Sequence, residues 1–369
     1  MAPQKMTHTH PLLSRRDLLA GAGGGFGLLA LQDLLASEAA VAAPDRSVQP
    51  FAVRTPHHTP RAKRCIFLYM PGGPSQIDLF DPKPRVSAEN GEPLPFEKPK
   101  LERTKTGNLL ASPWKFSRHG QSGIEVSELL PQIASHIDDL CVIRSMVADN
   151  INHSGAALQM NTGEQAFSRP CMGSWLLYGL GTENQNLPGF VAMSPRAQPR
   201  GKLANWGSSF LPSATAGVMF RDQGESVLNL NNPPGITAPR QEAQLRAIRA
   251  LNQHRFQYLR DPAIQNRIDA YEMAFRMQFA APELNDLSTE NKATHTAYGT
   301  GRPGESGSFS RNCLLARRLT ERGVRFVSIF HRRWDHHAGL HKKTEAGCEI
   351  IDRPVAALIG DLKQRGLLE

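Results

Sequence analysis

The stretch Val324-Arg325-Phe326-Val327-Ser328-Ile329-Phe330 runs directly into His331-Arg332-Arg333-Trp334-Asp335-His336-His337-Ala338-Gly339-Leu340-His341. The first part is β-branched or aromatic at most positions, the composition of a strand buried on both faces. The second part holds one Asp and four His. Parallel strands deliver their ligands and reacting groups at their carboxyl ends, where the chain leaves the sheet. There the step from Asp335 to His337 offers a carboxylate oxygen and an imidazole to one divalent metal ion. His336, His341 and His331 stand by as extra ligands or as groups that orient the ligands. A solvated His-rich loop flanked by Arg332, Arg333, Lys342 and Lys343 is the competing reading.

Two earlier segments share this design. Cys65-Ile66-Phe67-Leu68-Tyr69-Met70 is a continuous apolar run, read as a strand buried on both faces, and it ends in Pro71-Gly72-Gly73-Pro74-Ser75. A carboxylate after such a Gly-rich turn can reach a metal at the sheet edge, which makes Asp78 a candidate ligand. Asp81, before Pro82, reads as a turn initiator. Cys141-Val142-Ile143-Arg144-Ser145-Met146 also reads as a strand, and Asn152-His153-Ser154-Gly155 follows it at the start of a helix. A helix start supplies free N–H groups and the positive end of the dipole. His153 is therefore a candidate general acid/base or metal ligand, Ser154 a candidate nucleophile, and Asn152 their neighbour. Ser154 as a plain N-cap is the alternative.

Outward from these segments, helices are expected at about 127–137, 153–162, 172–178, 240–259, 262–279, 310–322 and 348–365, with a further strand at 190–193. Strands alternating with helices predict an α/β fold whose mostly parallel central sheet is sandwiched by helices. Residues 63–369 then form one domain, with a cap or insertion around 194–308 where long polar, Pro- and Gly-rich stretches occur. Residues 43–62 read as a linker.

Residues 1–42 read as an export signal. Ser14-Arg15-Arg16-Asp17-Leu18-Leu19 precedes a Gly/Ala/Leu stretch and then Ala40-Val41-Ala42, a pattern of the twin-arginine type. Glycines interrupt the apolar stretch, so no permanent membrane anchor is expected. The expected partner in export is the twin-arginine translocon, and the expected destination is the periplasm or the exterior. The formal charge of +9 is dispersed, without a Lys/Arg run, which argues against nucleic-acid binding and allows a weak preference for anionic partners. The five cysteines have no C-x-x-C spacing; Cys65 and Cys141 lie in apolar runs where a buried thiol is expected.

Six segments, in order, carry a resemblance: GGPSQIDLFDPKP (Gly72–Pro84), NHSGAALQMNTG (Asn152–Gly163), GSWLLYGLGTENQNLPGF (Gly173–Phe190), YEMAFRMQ (Tyr271–Gln278), CLLARRLTERGVRFV (Cys313–Val327) and WDHHAGLH (Trp334–His341). The chain resembles the bacterial family named domain of unknown function 1501, placed in the alkaline phosphatase and sulfatase superfamily. That resemblance implies one or two divalent metals (Zn, Ca, Mg or Mn) at the strand carboxyl ends and a nucleophile at a helix N-terminus. Asp78 matches the first-strand metal region, Asp335 with His337 a second metal segment, and Asn152-His153-Ser154 the nucleophile region. The chain departs from the sulfatases in lacking Cys-x-Pro-x-Arg, with His153 in the nucleophile's place. The implied activity is hydrolysis of sulfate or phosphate esters on small molecules or glycans. The alternative is a non-catalytic, metal-stabilised exported binding protein. After the last helix only Leu367-Leu368-Glu369 remain, where the alternation calls for another strand. The expectation is a superfamily sheet lacking its last strand, with an open edge, at most one well-held metal and weak or no hydrolysis.

Overall fold

The computed structural model describes residues 51–98, 105–194, 200–221, 226–228, 230–232, 234–332 and 334–368. Residues 1–42, read as an export signal with its Arg15-Arg16 pair, lie outside the described residues. The segment Pro50–Glu369 forms a compact unit of its own.

Its centre is a four-stranded parallel sheet in the order β1 (Cys65–Tyr69), β6 (Phe326–Phe330), β4 (Phe190–Met193), β5 (Val218–Phe220). Phe326 to Phe330 pair with Cys65 to Tyr69 on one side and, through Ile329, with Phe190 to Met193 on the other. β6 is buried throughout, as its composition requires. Side chains alternate between the two faces. Val327, Ile329, Val191 and Met193 enter the larger core, while Phe326, Phe330, Phe190 and Ala192 enter a second, smaller one.

Helices close both faces. Helix α3 is His153–Thr162 and α4 is Met172–Leu180. α4 approaches the smaller core so closely that a Cβ on Gly173 would lie 2.7 Å from the Phe190 ring and 2.8 Å from that of Phe326. The larger core is roofed by α6 (Pro262–Asn285), α8 (Gly304–Glu321) and α9 (Leu340–Gln364). α5 (Ala238–Leu259) packs antiparallel on α6, and α7 (Lys292–Tyr298) packs against α8 and α9. Two short helices, α1 (Pro84–Ala88) and α2 (Pro131–Ala134), flank a hairpin of β2 (Phe116–His119) and β3 (Ile124–Ser127).

The α/β architecture with a parallel sheet between helices is as the sequence predicts. Several elements differ. β1 is an edge strand with all five residues half-buried, because β6 covers only one of its sides among the described residues. Cys141–Met146 is not a strand: it finds no neighbour to form a ladder with, and Ile143 and Met146 are 63% and 67% exposed. The helix expected from 127 is replaced by the end of β3, the single turn of α2 and a 3-10 turn at Ile137–Asp139. β5, only three residues long, lies within the region read as a cap, and so does α7. α9 starts at Leu340, earlier than expected, which puts His341 in its first turn.

Candidate metal centre

The chain leaves β6 at Phe330, and His331 continues the ladder by donating its backbone N–H to the Tyr69 carbonyl at 2.9 Å. The His331 ring is buried. Its Nδ1 accepts from the Trp334 indole N–H at 3.0 Å, and it lies against the Phe309 ring at 4.8 Å. Trp334 is buried too, and its ring closes on Gly347 of α9, where a Cβ would sit 2.8 Å away. His331 and Trp334 therefore anchor the loop inward, and Asp335 is turned toward solvent.

The loop after β1 completes this placement. Gly72, at φ +102°, packs its backbone on that of Asp335; a Cβ there would be 2.4 Å from the Asp335 nitrogen. Only glycine reaches this conformation without strain and allows so close an approach.

From the other direction comes α3. Asn152 caps it, its Oδ1 accepting from the Ser154 N–H at 3.0 Å. Asn150 Oδ1 accepts from the Asn152 N–H at 2.7 Å, and Gln159 holds Asp149 through its Nε2 at 2.7 Å. These bonds fix the approach to the helix, so His153, the first helical residue, has a defined direction. Its Nε2 lies 2.8 Å from Asp335 Oδ2, and His337 Nε2 lies 2.8 Å from Asp335 Oδ1. One ligand atom from each of the three residues falls within 4.8 Å of the others. Burial pushes the Asp335 carboxyl up, but the charges and hydrogen bonds of His153 and His337 outweigh it and hold the group below the usual carboxylate range.

Two imidazoles and one carboxylate on a partly exposed surface could supply the three protein ligands of a metal position with an open site. This mixed nitrogen and oxygen set suits Zn or Mn better than Ca or Mg, which favour all-oxygen shells.

The other candidates lie elsewhere. Asp78 is buried in the 3-10 turn Gln76–Asp78, outside this trio. It lies near Cys348, whose thiol is pushed up to about 12 by burial first and then by Asp352, Asp78 and Glu349. The His336 Nδ1 is 3.4 Å from the Thr344 hydroxyl, and its ring lies 6.3 Å from that of Trp334. His341 stands edge-on to Trp114 at 5.4 Å. Ser154 is exposed, and among the described residues no imidazole or carboxylate bonds its hydroxyl. Sequence reasoning found Asp335 and His337 by their position after a strand. That His153 meets them could be suspected only from its place at another helix start, because 182 positions separate it from Asp335.

No curated protein and no solved structure matches the chain. One family model does, across residues 62–369, which include all six described strands and all three members of the His153, Asp335, His337 trio. The chain belongs to the family described as protein of unknown function, DUF1501.

Proposed function

We propose that this chain is an exported, divalent-metal-dependent hydrolase of phosphate or sulfate esters, related to the alkaline phosphatase and sulfatase superfamily. The observation that carries the reading is the convergence of His153, Asp335 and His337 beside the carboxyl ends of a parallel sheet. In this reading Asp335 and His337 hold the ion from the β6 loop, and His153 completes the set from α3. A bound divalent ion would polarise an ester oxygen and lower the pKa of a bound water. The role of the chain itself is to fix the three donors: Asn152 aims α3, Gly72 seats Asp335, and Trp334 pins the loop. Ser154, next to His153, is the nucleophile candidate. Its lack of a proton acceptor among the described residues favours a second reading, a metal-stabilised binding protein without turnover.

Metal content of protein purified without chelator, measured with turnover of aryl phosphate and aryl sulfate, separates the two. The proposal expects one equivalent of metal and measurable turnover. Asp335→Ala should lose the metal, and His153→Ala should lose turnover. His336→Ala and His341→Ala should keep the metal. Metal without turnover selects the binding protein; no metal in the unmodified chain ends both readings.

A further inference from the structure

Beyond the metal centre, the surface where α4 meets the loop that follows the turn Lys202–Asn205 has an unusual character. Trp175 of α4 stands 5.8 Å from Phe210, edge to face, and 6.3 Å from Tyr178. The loop bearing Phe210 is tied down: Cys171 donates its N–H to the Gly207 carbonyl at 3.1 Å, and the Ser209 hydroxyl donates to the Ser168 carbonyl at 2.9 Å. The turn Lys202–Asn205, which carries Leu203, packs on α3 and runs directly into this loop, the Trp206 N–H donating to the Leu203 carbonyl at 3.1 Å. Phe167, Leu203 and Phe210 are 68%, 63% and 61% exposed, and Met172 and Trp175 are also exposed. These are large apolar groups on a hydrogen-bonded framework, and such patches mark interaction sites.

Charge narrows the partner. Residues 169–182 and 200–221 contain no Asp or Glu, while Arg169, Arg200 and Lys202 are exposed among them. Arg54 adds a guanidinium over the Tyr178 ring at 5.8 Å. A second copy of the chain set against this face about a two-fold axis would bring like charges together. A sugar would need hydrogen-bonding atoms, and Phe167, Met172, Leu203 and Phe210 have none to offer. Glu164 is the carboxylate beside Phe167, and its Oε1 accepts from the Ala166 N–H at 2.9 Å. An apolar, aromatic surface with a net basic rim fits the interface of an anionic lipid bilayer, where side chains enter the headgroup region and cations meet phosphates.

We infer that this face docks the protein peripherally on anionic membranes. No described helix is long and apolar enough to cross a membrane, so the contact is interfacial. The test is co-sedimentation of the full chain with vesicles of phosphatidylcholine alone or mixed with phosphatidylglycerol, at rising salt. The unmodified chain should bind the mixed vesicles and release with salt. Phe167→Ser with Leu203→Ser and Phe210→Ser should weaken that binding by about tenfold or more, and Arg169→Glu with Lys202→Glu should do likewise. Leu251→Ser, exposed on α5, should change nothing. All variants keep the same N-terminal segment, so any affinity of that segment cancels, and an unchanged thermal midpoint shows that they fold. The inference is overturned by failure of the unmodified chain to bind, by equal binding of all variants, or by a dimer in sedimentation that the triple variant abolishes.

Discussion

At the residue scale the centre depends on Gly72 as much as on its ligands. Gly72→Ala would place a methyl 2.4 Å from the Asp335 nitrogen and 2.8 Å from the Trp334 carbonyl carbon, at a φ that side chains rarely adopt. The variant should lose about 1–3 kcal/mol of stability and bind metal more weakly, because the backbone carrying Asp335 must shift. Gly73→Ala is the matched control: its φ is also positive, but nothing lies within 4 Å of the added carbon. It should lose about 1 kcal/mol and leave metal affinity unchanged. Urea unfolding and metal titration of both variants check this pair. The site was partly legible in the sequence. Asp335 and His337 follow a strand that identifies itself by composition, so their location could be read. Asp78, His336 and His341 carry the same chemistry in the same neighbourhoods. Asp78 is buried in its own 3-10 turn, while Trp334 and Thr344 engage His336 and Trp114 engages His341, and residue type does not encode that packing.

At the scale of elements, α8 is held by buried charge. The Arg317 guanidinium, with its side chain 3% exposed, meets Glu290 at 2.6 Å, Glu321 at 2.6 Å and Asp361 of α9 at 3.0 Å. Arg317→Ala would take one of two cations from each carboxylate, since Arg318 still meets Glu290 and Arg365 still meets Glu321 and Asp361. It should cost about 1–3 kcal/mol, read from chemical denaturation. On α6, burial raises the Asp269 carboxyl to about 6; Glu272 adds to the rise, while Gln265 and Arg249 oppose it. Its folded value exceeds the unfolded one of about 4, so its stabilising proton is fully held below pH ~4 and lost as pH rises through about 6. Asp269→Asn removes that loss. It should raise stability by about 1–2 kcal/mol at pH 8 and change little at pH 4, as thermal unfolding at both values would show. Long elements with a clear period, such as α5, α6 and α8, could be read from the chain. Cys141–Met146 was misread because strand composition is necessary for a ladder but does not supply a neighbour. β5 was missed because three residues are too few to show a period.

At the scale of the whole molecule, the proposal of export makes a separate prediction about Arg15 and Arg16. Changing both to lysine should leave the precursor in the cytoplasm, followed by fractionation and immunoblotting; unchanged export would remove the twin-arginine assignment. The sheet itself bears on the order of events in the cell. Its edge pair β1–β6 joins Cys65 to Phe326, roughly 260 residues apart in sequence, and β4 also needs β6 beside it. At a synthesis rate of about 5–20 residues per second, β1 leaves the ribosome tens of seconds before its partner exists. During that wait the run from Cys65 to Tyr69 has neither ladder nor core to enter. Helices such as α3 and α4 can form locally, but the His153 arm must wait for Asp335, because 182 positions separate these two members of the candidate trio. The candidate metal centre thus comes into being only once the loop after β6 has been made, and any metal it holds can be acquired only after translation of that loop is complete.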